Sequence, residues 1–312
     1  MSFDFEKPLD DIEAQIRELT ALKETKPEVE ADIAKLTLKL EEERKAIYSR
    51  LTAWQTVQVA RHPERPSIRD YIAGLFSDFM ELHGDRGFGD DQAIIGGFAT
   101  FDKHRVVIIG HQKGKSVEEN IRFNFGMARP EGYRKALRLM RLAEKFHLPV
   151  ISFIDTSGAF PGLDAEERGQ AEAIARNLRD MSNLATPIIV LVTGEGGSGG
   201  ALGIGVGDRI LMLSNSVYSV ISPEGCASIL WRDGAKAPEA AEALKITAPA
   251  LLKLKIIDEI ITEPPGGAHR DVEGTMKAVR KSLLKHLNDV KGSGIKKLLD
   301  RRYEKFAKIG RF

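Results

Sequence analysis

The first sixty residues place apolar side chains at every third or fourth position, which is the period of an amphipathic helix. One stripe consists of Leu9, Ile12, Ile16 and Leu19, and a second, interrupted by Glu43 and Arg44, runs along Val29, Ile33, Leu36, Leu40, Ile47, Leu51 and Trp54. Residues 25–28 have the pattern of a capping box and predict where the second helix begins. Because both stripes are short, we expect a helical hairpin packed on a body or a partner rather than a free coiled coil.

Between residues 94 and 221 short apolar runs alternate with helical patterns. Helices are predicted over 131–146 and over 164–181, and the second begins with acidic residues that suit the positive end of a helix dipole. Alternation of this kind favours an α/β fold with largely parallel strand pairing. The strand candidates are residues 94–95, 106–109, 150–154, 188–192, 210–213 and 217–221.

The end of the chain is helical again. Residues 247–249 have the pattern of a helix start, 264–267 form a Pro/Gly loop, and 271–290 carry an apolar stripe of Val279, Leu283 and Leu287. A basic helical tail follows. We therefore divide the chain into a helical extension (1–61), an α/β core (62–262) and a C-terminal helical region (263–312).

Composition and charge narrow the class of protein. The 312 residues are 42% hydrophobic and 29% charged with a net charge of +1, which is typical of a globular protein and supplies no overall field for nucleic acid or a membrane. The single cysteine, Cys226, excludes an internal disulfide and a cysteine-rich zinc site. For the same reason we expect no metal on this chain. Since the N-terminus lacks a secretory pattern and no apolar run approaches the roughly 20 residues of a membrane span, we expect a cytoplasmic protein.

The most unusual segment is residues 194–207, where eight of fourteen positions are glycine. It follows a predicted strand and precedes a predicted helix. Glycine costs roughly 1 kcal/mol in a helix relative to alanine, so something must require it here. Gly203, Gly205 and Gly207 are expected to serve close packing. A helix starting near Gly200 would offer free N–H donors to an anion.

Three interpretations of this segment differ in their chemistry. Residues 194–199 match G-x-G-x-x-G, but the acid expected about 20 residues later is absent, which disfavours dinucleotide binding. Ser198 lies in a G-x-S-x-G pattern, which is typical of a serine nucleophile. The downstream candidates for its base and orienting acid, His269 and Asp271, lie in a Pro/Gly loop without a catalytic motif of their own. The favoured interpretation is an oxyanion hole without a nucleophile, formed by the N–H groups of Gly199 and Gly200.

Several long motifs resemble the alpha subunits of bacterial acetyl-coenzyme A carboxylase carboxyltransferase, and the likeness spans nearly the whole chain. One departure occurs: the family usually has proline where this chain has Ser157, which loosens the loop but leaves Gly158 and Ala159 in place. The segments that carry the resemblance are 110–114 (Gly-His-Gln-Lys-Gly), 124–127, 130–140, 165–170, 194–207, 218–231 and 266–270.

The resemblance implies a crotonase-like fold of repeated ββα units, with residues 62–262 as the carboxyltransferase core. It implies transfer of a carboxyl group from carboxybiotin, on a separate biotin carboxyl carrier protein, to acetyl-CoA, which gives malonyl-CoA for fatty acid biosynthesis. It further implies a zinc-ribbon beta subunit that completes the site, a biotin carboxylase as a further component, and an alpha2-beta2 assembly. In this scheme the alpha side holds carboxybiotin and the beta side holds most of the CoA.

On this chain the scheme assigns the oxyanion hole to Gly199 and Gly200, with Ala201 as the next donor. Gly158 and Ala159 form a second backbone candidate that shapes the pocket. His111 and Lys113 follow a strand, and contact with the biotin carboxylate or a CoA phosphate is weighed equally with a surface loop. Arg134, Arg138, Arg141 and Lys145 share a helix face, which could meet phosphates, although a solvated face is favoured.

Overall fold

An eight-stranded mixed sheet forms the centre of the computed structural model, which describes residues 3–23, 29–292 and 294–310. The strand order is β1-β2-β3-β4-β5-β6-β8, and β7 pairs with the far end of β5. Pairing is antiparallel among β1, β2 and β3 and parallel elsewhere. The strands are β1 (Ser77–Glu81), β2 (Ile94–Phe101), β3 (His104–His111), β4 (Val150–Thr156), β5 (Ile188–Gly197), β6 (Arg209–Leu213), β7 (Val217–Ser219) and β8 (Glu259–Ile261).

All six predicted strands are present, and the prediction of largely parallel pairing is confirmed. The strand predicted at 217–221 ends early, at Ser219, whose hydroxyl donates to the Ile221 carbonyl in the turn that follows. Strands β1 and β8 were not predicted. The first has a mostly exposed, polar sequence, and the second has only three residues, so neither carries a clear alternation.

The helices cover both faces of the sheet. Short 3-10 turns occur at Asp4–Glu6, Asn124–Gly126 and Gly234–Lys236. The α-helices are α1 (Lys7–Leu22), α2 (Val29–Tyr48), α3 (Ala53–Ala60), α4 (Ile68–Leu75), α5 (Val117–Arg122), α6 (Pro130–Lys145), α7 (Leu163–Glu167), α8 (Gln170–Asn183), α9 (Ser198–Leu202), α10 (Pro223–Trp231), α11 (Ala237–Leu244), α12 (Ala248–Lys253), α13 (Val272–Lys291) and α14 (Ile295–Lys308).

Two hydrophobic cores lie on opposite faces of the sheet, because neighbouring residues of a strand point to opposite sides. In β3, Val107 and Ile109 join the core that contains Tyr133 of α6, whereas Ile108 joins the core that contains Leu283 of α13. Central strands buried on both sides read as continuous apolar runs, which is why the sequence revealed them. The apolar stripe of α13 is thus part of the central packing.

The helical hairpin is confirmed and packs on the body of the protein. Leu9, Ile12 and Leu40 form its core. Arg44 of α2 donates to Glu13 of α1 at 2.8 Å, and Arg270 from the body lies 3.7 Å from the same carboxylate. The second stripe was predicted to continue through Leu51 and Trp54, but α2 ends at Tyr48 because Thr52 caps a separate helix, α3. The predicted capping box at 25–28 lies outside the described residues.

The prediction of a single helix over 164–181 is wrong in one respect, because the segment forms two helices, α7 and α8. Gly169 has a φ of +85°, a left-handed conformation that breaks the helix. The break lets Gln170 turn inward, where its Nε2 donates to the carbonyls of Ala128 and Phe160, both at 2.9 Å. This pair of bonds holds the loop that follows Gly158 and Ala159.

The C-terminal helix α14 is attached to the body by Arg302, which is completely buried. Its guanidinium donates to both carboxylate oxygens of Asp208 at 2.9 and 2.7 Å, and to the carbonyls of Met181, Leu184 and Thr186. Among the helices of the described residues, none is both long and apolar enough to cross a membrane.

Candidate active site

The glycine-rich segment forms the carboxyl end of β5 and the start of α9, at the centre of the sheet. Gly196 and Gly197 still pair with β7, opposite Tyr218 and Ser219, and Ser198 then turns the chain with a φ of +53°. The first N–H groups of a helix have no carbonyl one turn before them. The N–H groups of Ser198, Gly199 and Gly200 therefore remain available at this turn. The prediction of a strand followed by a helix start is confirmed.

Close approach of a second backbone segment explains two of these glycines. A Cβ on Gly200 would lie 2.5 Å from the Gly158 carbonyl oxygen and 2.7 Å from Ala159 N. A Cβ on Gly197 would lie 2.9 Å from the Thr156 carbonyl oxygen and would collide with the carbonyl of Ser157. Gly199 differs, since its nearest neighbour would be Ile174 Cδ1 at 3.6 Å, an ordinary contact.

The two backbone candidates therefore belong to one site. Gly158 N donates to Thr156 Oγ1 at 3.2 Å, and Phe160 N donates to the Ala128 carbonyl at 3.0 Å. For the N–H of Ala159, which lies between them, we find no acceptor within the described part of the chain. Ala159 thus adds a further N–H donor beside Gly200.

Ala201 has a different environment from its two neighbours. Its side chain is fully buried in the core. By helix geometry its N–H is also the first in α9 with a carbonyl one turn before it, at Gly197. Ala201 is thus placed for packing, and Gly199 and Gly200 carry the free donors. As expected, the later glycines meet neighbours closely: a Cβ on Gly203 would lie 2.6 Å from Tyr133.

A network of charged side chains lies directly beside the turn. Lys113 Nζ contacts Asp155 at 2.8 Å and Glu195 at 3.0 Å. Arg61 Nε donates to Glu195 at 2.6 Å, and the same guanidinium donates to Glu224 at 2.5 Å. The Glu195 N–H in turn donates to Asp155 Oδ1 at 3.0 Å. The network therefore connects β3, β4 and β5 at their carboxyl ends.

The electrostatics of this network favour its charged form. Burial by itself would raise the pKa of Glu195, but the charges of Lys113 and Arg61 outweigh burial and hold that pKa at about 2. Burial likewise opposes the charge on Lys113, and the carboxylates of Asp155 and Glu195 reverse the effect and raise its pKa. Lys113 therefore remains an ammonium at neutral pH.

A cavity of about 300 Å³ opens beside the network. Its walls include Arg61, Lys113, Asp155, Ser157 and Glu195. Because Ser157 precedes Gly158, the cavity reaches the backbone segment that meets the glycine turn. A ligand bound in this cavity would contact Lys113 and Ser157, the residue next to the segment that packs against the glycine turn.

His111 lies behind the wall of this cavity and does not form part of it. It is 1% exposed, and backbone groups of Gly200 and Phe153 lie beside its ring. Burial lowers the pKa of His111 to about 3, so the ring is neutral at pH 7. Of the two residues that the sequence offered as ligand contacts, Lys113 therefore lines the cavity and His111 does not.

Sequence analysis missed four members of the network: Arg61, Asp155, Glu195 and Glu224. Two of them had a visible signal, since Asp155 follows a predicted strand and Glu195 is the one acid in the glycine segment. Arg61 had none, because it closes a helix far away along the chain.

The serine nucleophile finds no support among the described residues. No hydrogen bond joins Ser198 to a histidine or a carboxylate there. His269 instead stacks on His62 with ring centroids 3.9 Å apart, and Asp271 caps α13 by accepting from Gly274 N. In the same described part of the chain, no group of three or more His, Cys, Asp or Glu side chains could hold a metal ion.

Comparison with protein families agrees with this geometry. A family model described as "Acetyl co-enzyme A carboxylase carboxyltransferase-like" matches residues 2–310. The acetyl-coenzyme A carboxylase carboxyl transferase subunit alpha of Geobacter metallireducens is 56% identical over 309 residues, which cover 99% of this chain and 97% of that protein. The corresponding subunit of Halalkalibacterium halodurans is 57% identical over 310 residues, covering 99% and 95%.

Solved structures resemble the fold at lower identity. A transcarboxylase 12S structure matches with a TM-score of 0.57 and 20% identity, over 72% of this chain and 42% of that one. The geranyl-CoA carboxylase beta subunit of P. aeruginosa matches with a TM-score of 0.55 and 17% identity, over 81% and 45%. These likenesses concern the fold alone, and they confirm the crotonase-like architecture.

Proposed function

The chain belongs to the acetyl co-enzyme A carboxylase carboxyltransferase family, and from this premise we propose how its glycine-rich turn takes part in the reaction. It is a carboxyltransferase subunit of the alpha type, and it serves the transfer of a carboxyl group from carboxybiotin to acetyl-CoA to give malonyl-CoA. The carboxyl group moves from a biotin nitrogen to the α-carbon of the thioester, and the α-proton moves the other way, so negative charge develops on the ureido oxygen of biotin and on the thioester oxygen. A protein that stabilises such charge needs fixed donors more than it needs a strong base.

One observation carries the proposal: the start of α9 meets the Gly158–Ala159 backbone so closely that Gly200 has no room for a side chain. The N–H groups of Gly199 and Gly200 then face a site where an oxygen can approach, with Ala159 N–H beside them. Carboxybiotin supplies the activated carboxyl group, and its ureido carbonyl is the kind of acceptor that these donors fit. Removal of one such donor typically costs about 3–4 kcal/mol of transition-state stabilisation.

The charged network serves this turn in the proposal. Glu195 lies between two glycines of β5, and its carboxylate is held by Arg61 and Lys113. Its N–H is held by Asp155. These contacts fix the strand a few residues before the donors, and rigid positioning is what makes backbone donors effective. Lys113 also lies on the cavity wall, where Asp155 and Glu195 balance its charge and hold the ammonium in place. His111 supports the turn from beneath without touching a ligand.

The relatives are named as alpha subunits, so the chain is one subunit of a multisubunit carboxylase. We propose that a beta subunit completes the site and holds most of the CoA, and that a biotin carboxyl carrier protein brings carboxybiotin from a biotin carboxylase. We also propose an alpha2-beta2 assembly acting in the cytoplasm, where a single unpaired cysteine is stable. The physical reason for a partner is that biotin and thioester oxygens both need donors, and the turn serves one.

The test compares two neighbouring glycines. Gly200→Ala places a Cβ against Gly158, whereas Gly199→Ala has room. Malonyl-CoA formation would be measured with each variant assembled with the beta subunit. We expect Gly200→Ala to lower kcat by about 100-fold or more, since displaced donors cost what a deleted donor costs. Gly199→Ala should stay within a few-fold of the wild type. Equal losses in both variants would contradict the proposal.

Ser198→Ala separates the oxyanion hole from a serine nucleophile. The hydroxyl has no basic partner in the described structure, so we expect carboxyl transfer to continue at nearly the wild-type rate. Loss of activity in this variant, with unchanged assembly, would favour covalent catalysis instead. The chain without its partner should be inactive, and full activity of the chain alone would overturn the half-site proposal.

A further inference from the structure

A second cavity, of about 470 Å³, lies on the solvent face of α6, away from the glycine turn. Leu137 and Leu142 form its apolar floor, and Arg138, Arg141 and Lys145 project from the same helix around them. The stripe of basic residues that the sequence showed thus borders a concave surface. We call this surface the α6 groove.

The α6 groove has more basic than acidic residues on its wall, although part of this charge is paired: Arg134 contacts Asp85, which also lines the groove, at 2.7 Å. Arg141 pairs with Asp180 at 2.5 Å. By contrast, Arg86, Arg138 and Lys145 have no carboxylate at salt-bridge distance among the described residues. A cation without an acidic partner beside an open cavity favours an anionic ligand.

Arg86 and Arg138 also crowd each other. Arg138 donates to the carbonyls of Gly84 and His83 at 3.0 and 3.1 Å, and Arg86 donates to the same His83 carbonyl at 2.8 Å. Two guanidinium groups therefore share one neutral acceptor. Burial, and then the charge of Arg86, lower the pKa of Arg138. An anion placed between the two groups would relieve this repulsion and use donors that remain free.

We propose that the α6 groove binds the nucleoside diphosphate part of a ligand. The cations follow one another at three- and four-residue spacing, so they lie about 4.5–6 Å apart along the helix, which suits neighbouring phosphates. The apolar floor and the volume exceed what inorganic phosphate needs and suit a nucleoside. This inference is independent of the glycine turn, because binding to the groove requires no carboxyl transfer.

Two sources share this chemistry: a free nucleotide, and coenzyme A, which carries a phosphorylated adenosine diphosphate. Helix α6 begins beside the site, since the Ala128 carbonyl just before it accepts from Phe160 N. Arg138 lies eight residues into the helix, about 12 Å from its first turn. The experiment must therefore include both ligands.

The test is direct binding to the full chain by calorimetry, with ADP, coenzyme A, pantetheine and inorganic pyrophosphate as probes. We expect ADP and coenzyme A to bind, with a Kd that rises as salt is added, and pantetheine not to bind. Arg138→Gln should weaken binding at least tenfold and Lys145→Gln severalfold. Lys145 is exposed and makes no ion pair in the described residues, so its loss leaves the fold intact. Arg50→Gln, at an exposed turn after α2, removes the same charge elsewhere and should change nothing.

Each outcome decides the proposal. Tighter binding of coenzyme A than of ADP identifies coenzyme A as the source, and equal binding identifies the nucleotide itself. Pyrophosphate binding as tightly as ADP would overturn the nucleoside part. Absence of saturable binding, or binding unchanged in both groove variants, would overturn the whole proposal. So would loss of ADP binding when the second subunit is added, because the groove would then be a subunit contact. Carboxyl transfer plays no part in any of these readouts.

Discussion

Replacing Lys113 with methionine tests how strongly the charged network supports the glycine turn. Methionine keeps most of the aliphatic chain and removes the ammonium group. Asp155 and Glu195 would then lie close together without the cation between them, at 15% and 12% side-chain exposure. Arg61 would still bind Glu195, and the Glu195 N–H would still bind Asp155. The variant therefore isolates the contribution of one cation.

The magnitude follows from the burial of the carboxylates. Removal of one partner from a buried ion pair costs about 3–5 kcal/mol, since the remaining charge is left uncompensated. The lower end applies here because Lys113 is 22% exposed and each acid keeps one partner. We therefore expect a loss of about 3 kcal/mol in the free energy of unfolding. At about 2 °C for each kcal/mol in a chain of this size, Tm falls by about 6 °C.

The assay is urea denaturation and calorimetry of the full chain, beside a matched control. Lys115→Met removes the same group from the same cavity wall. Its partner, Asp70, lies 2.9 Å away, but Lys115 is 53% exposed, so the loss should be about 0–1 kcal/mol. The double variant Lys113→Met/Glu195→Gln should recover part of the loss, because one of the two carboxylates is then neutral.

Acid titration supplies an independent check with a defined sign. Glu195 has a folded-state pKa of about 2 against an ordinary value of 4.5, so its contribution is complete above pH 4.5 and disappears as pH falls towards 2. Lys113→Met raises the folded-state pKa and reduces this contribution. The difference between wild type and variant should therefore shrink in that range. Equal destabilisation by Lys113→Met and Lys115→Met, with no pH dependence, would refute the reasoning.

Two further predictions concern buried groups outside the network. His111→Asn should make the free energy of unfolding less sensitive to acid. The pKa of His111 is about 3 in the folded state against an ordinary value of 6.5, so the stability that the neutral ring contributes is complete above pH 6.5 and is lost towards pH 3. The loss is at most about 1.4 kcal/mol per pH unit. Urea titrations from pH 7 to 4 should show a shallower slope than wild type, and an unchanged slope would contradict this prediction. Arg302→Ala should cost about 3–5 kcal/mol by leaving Asp208 buried without its partner, measured as a fall in Tm; a change below 1 kcal/mol would show that α14 is held by other contacts.

Much of the fold could be predicted because its signals are local. The central strands are buried on both faces, so they appear as continuous apolar runs at residues 106–109, 150–154 and 188–192. Helix α6 shows its period and begins at a proline, and it was predicted within one residue. The break at Gly169 escaped prediction because the flanking residues all favour a helix, and only the inward turn of Gln170 requires the interruption.

The sequence alone determined that a glycine-rich turn follows a buried strand and offers backbone donors, since glycine content and strand periodicity are properties of neighbouring residues. Tertiary structure decided what the turn meets. Only folding brings Gly158 against Gly200, and only folding places Arg61, Lys113, Asp155 and Glu195 within hydrogen-bond distance of one another. These partners come from a helix and three strands separated by up to 134 positions. Charge pairing acts through space and leaves no periodic pattern along the chain, which is why the network became visible only in the fold.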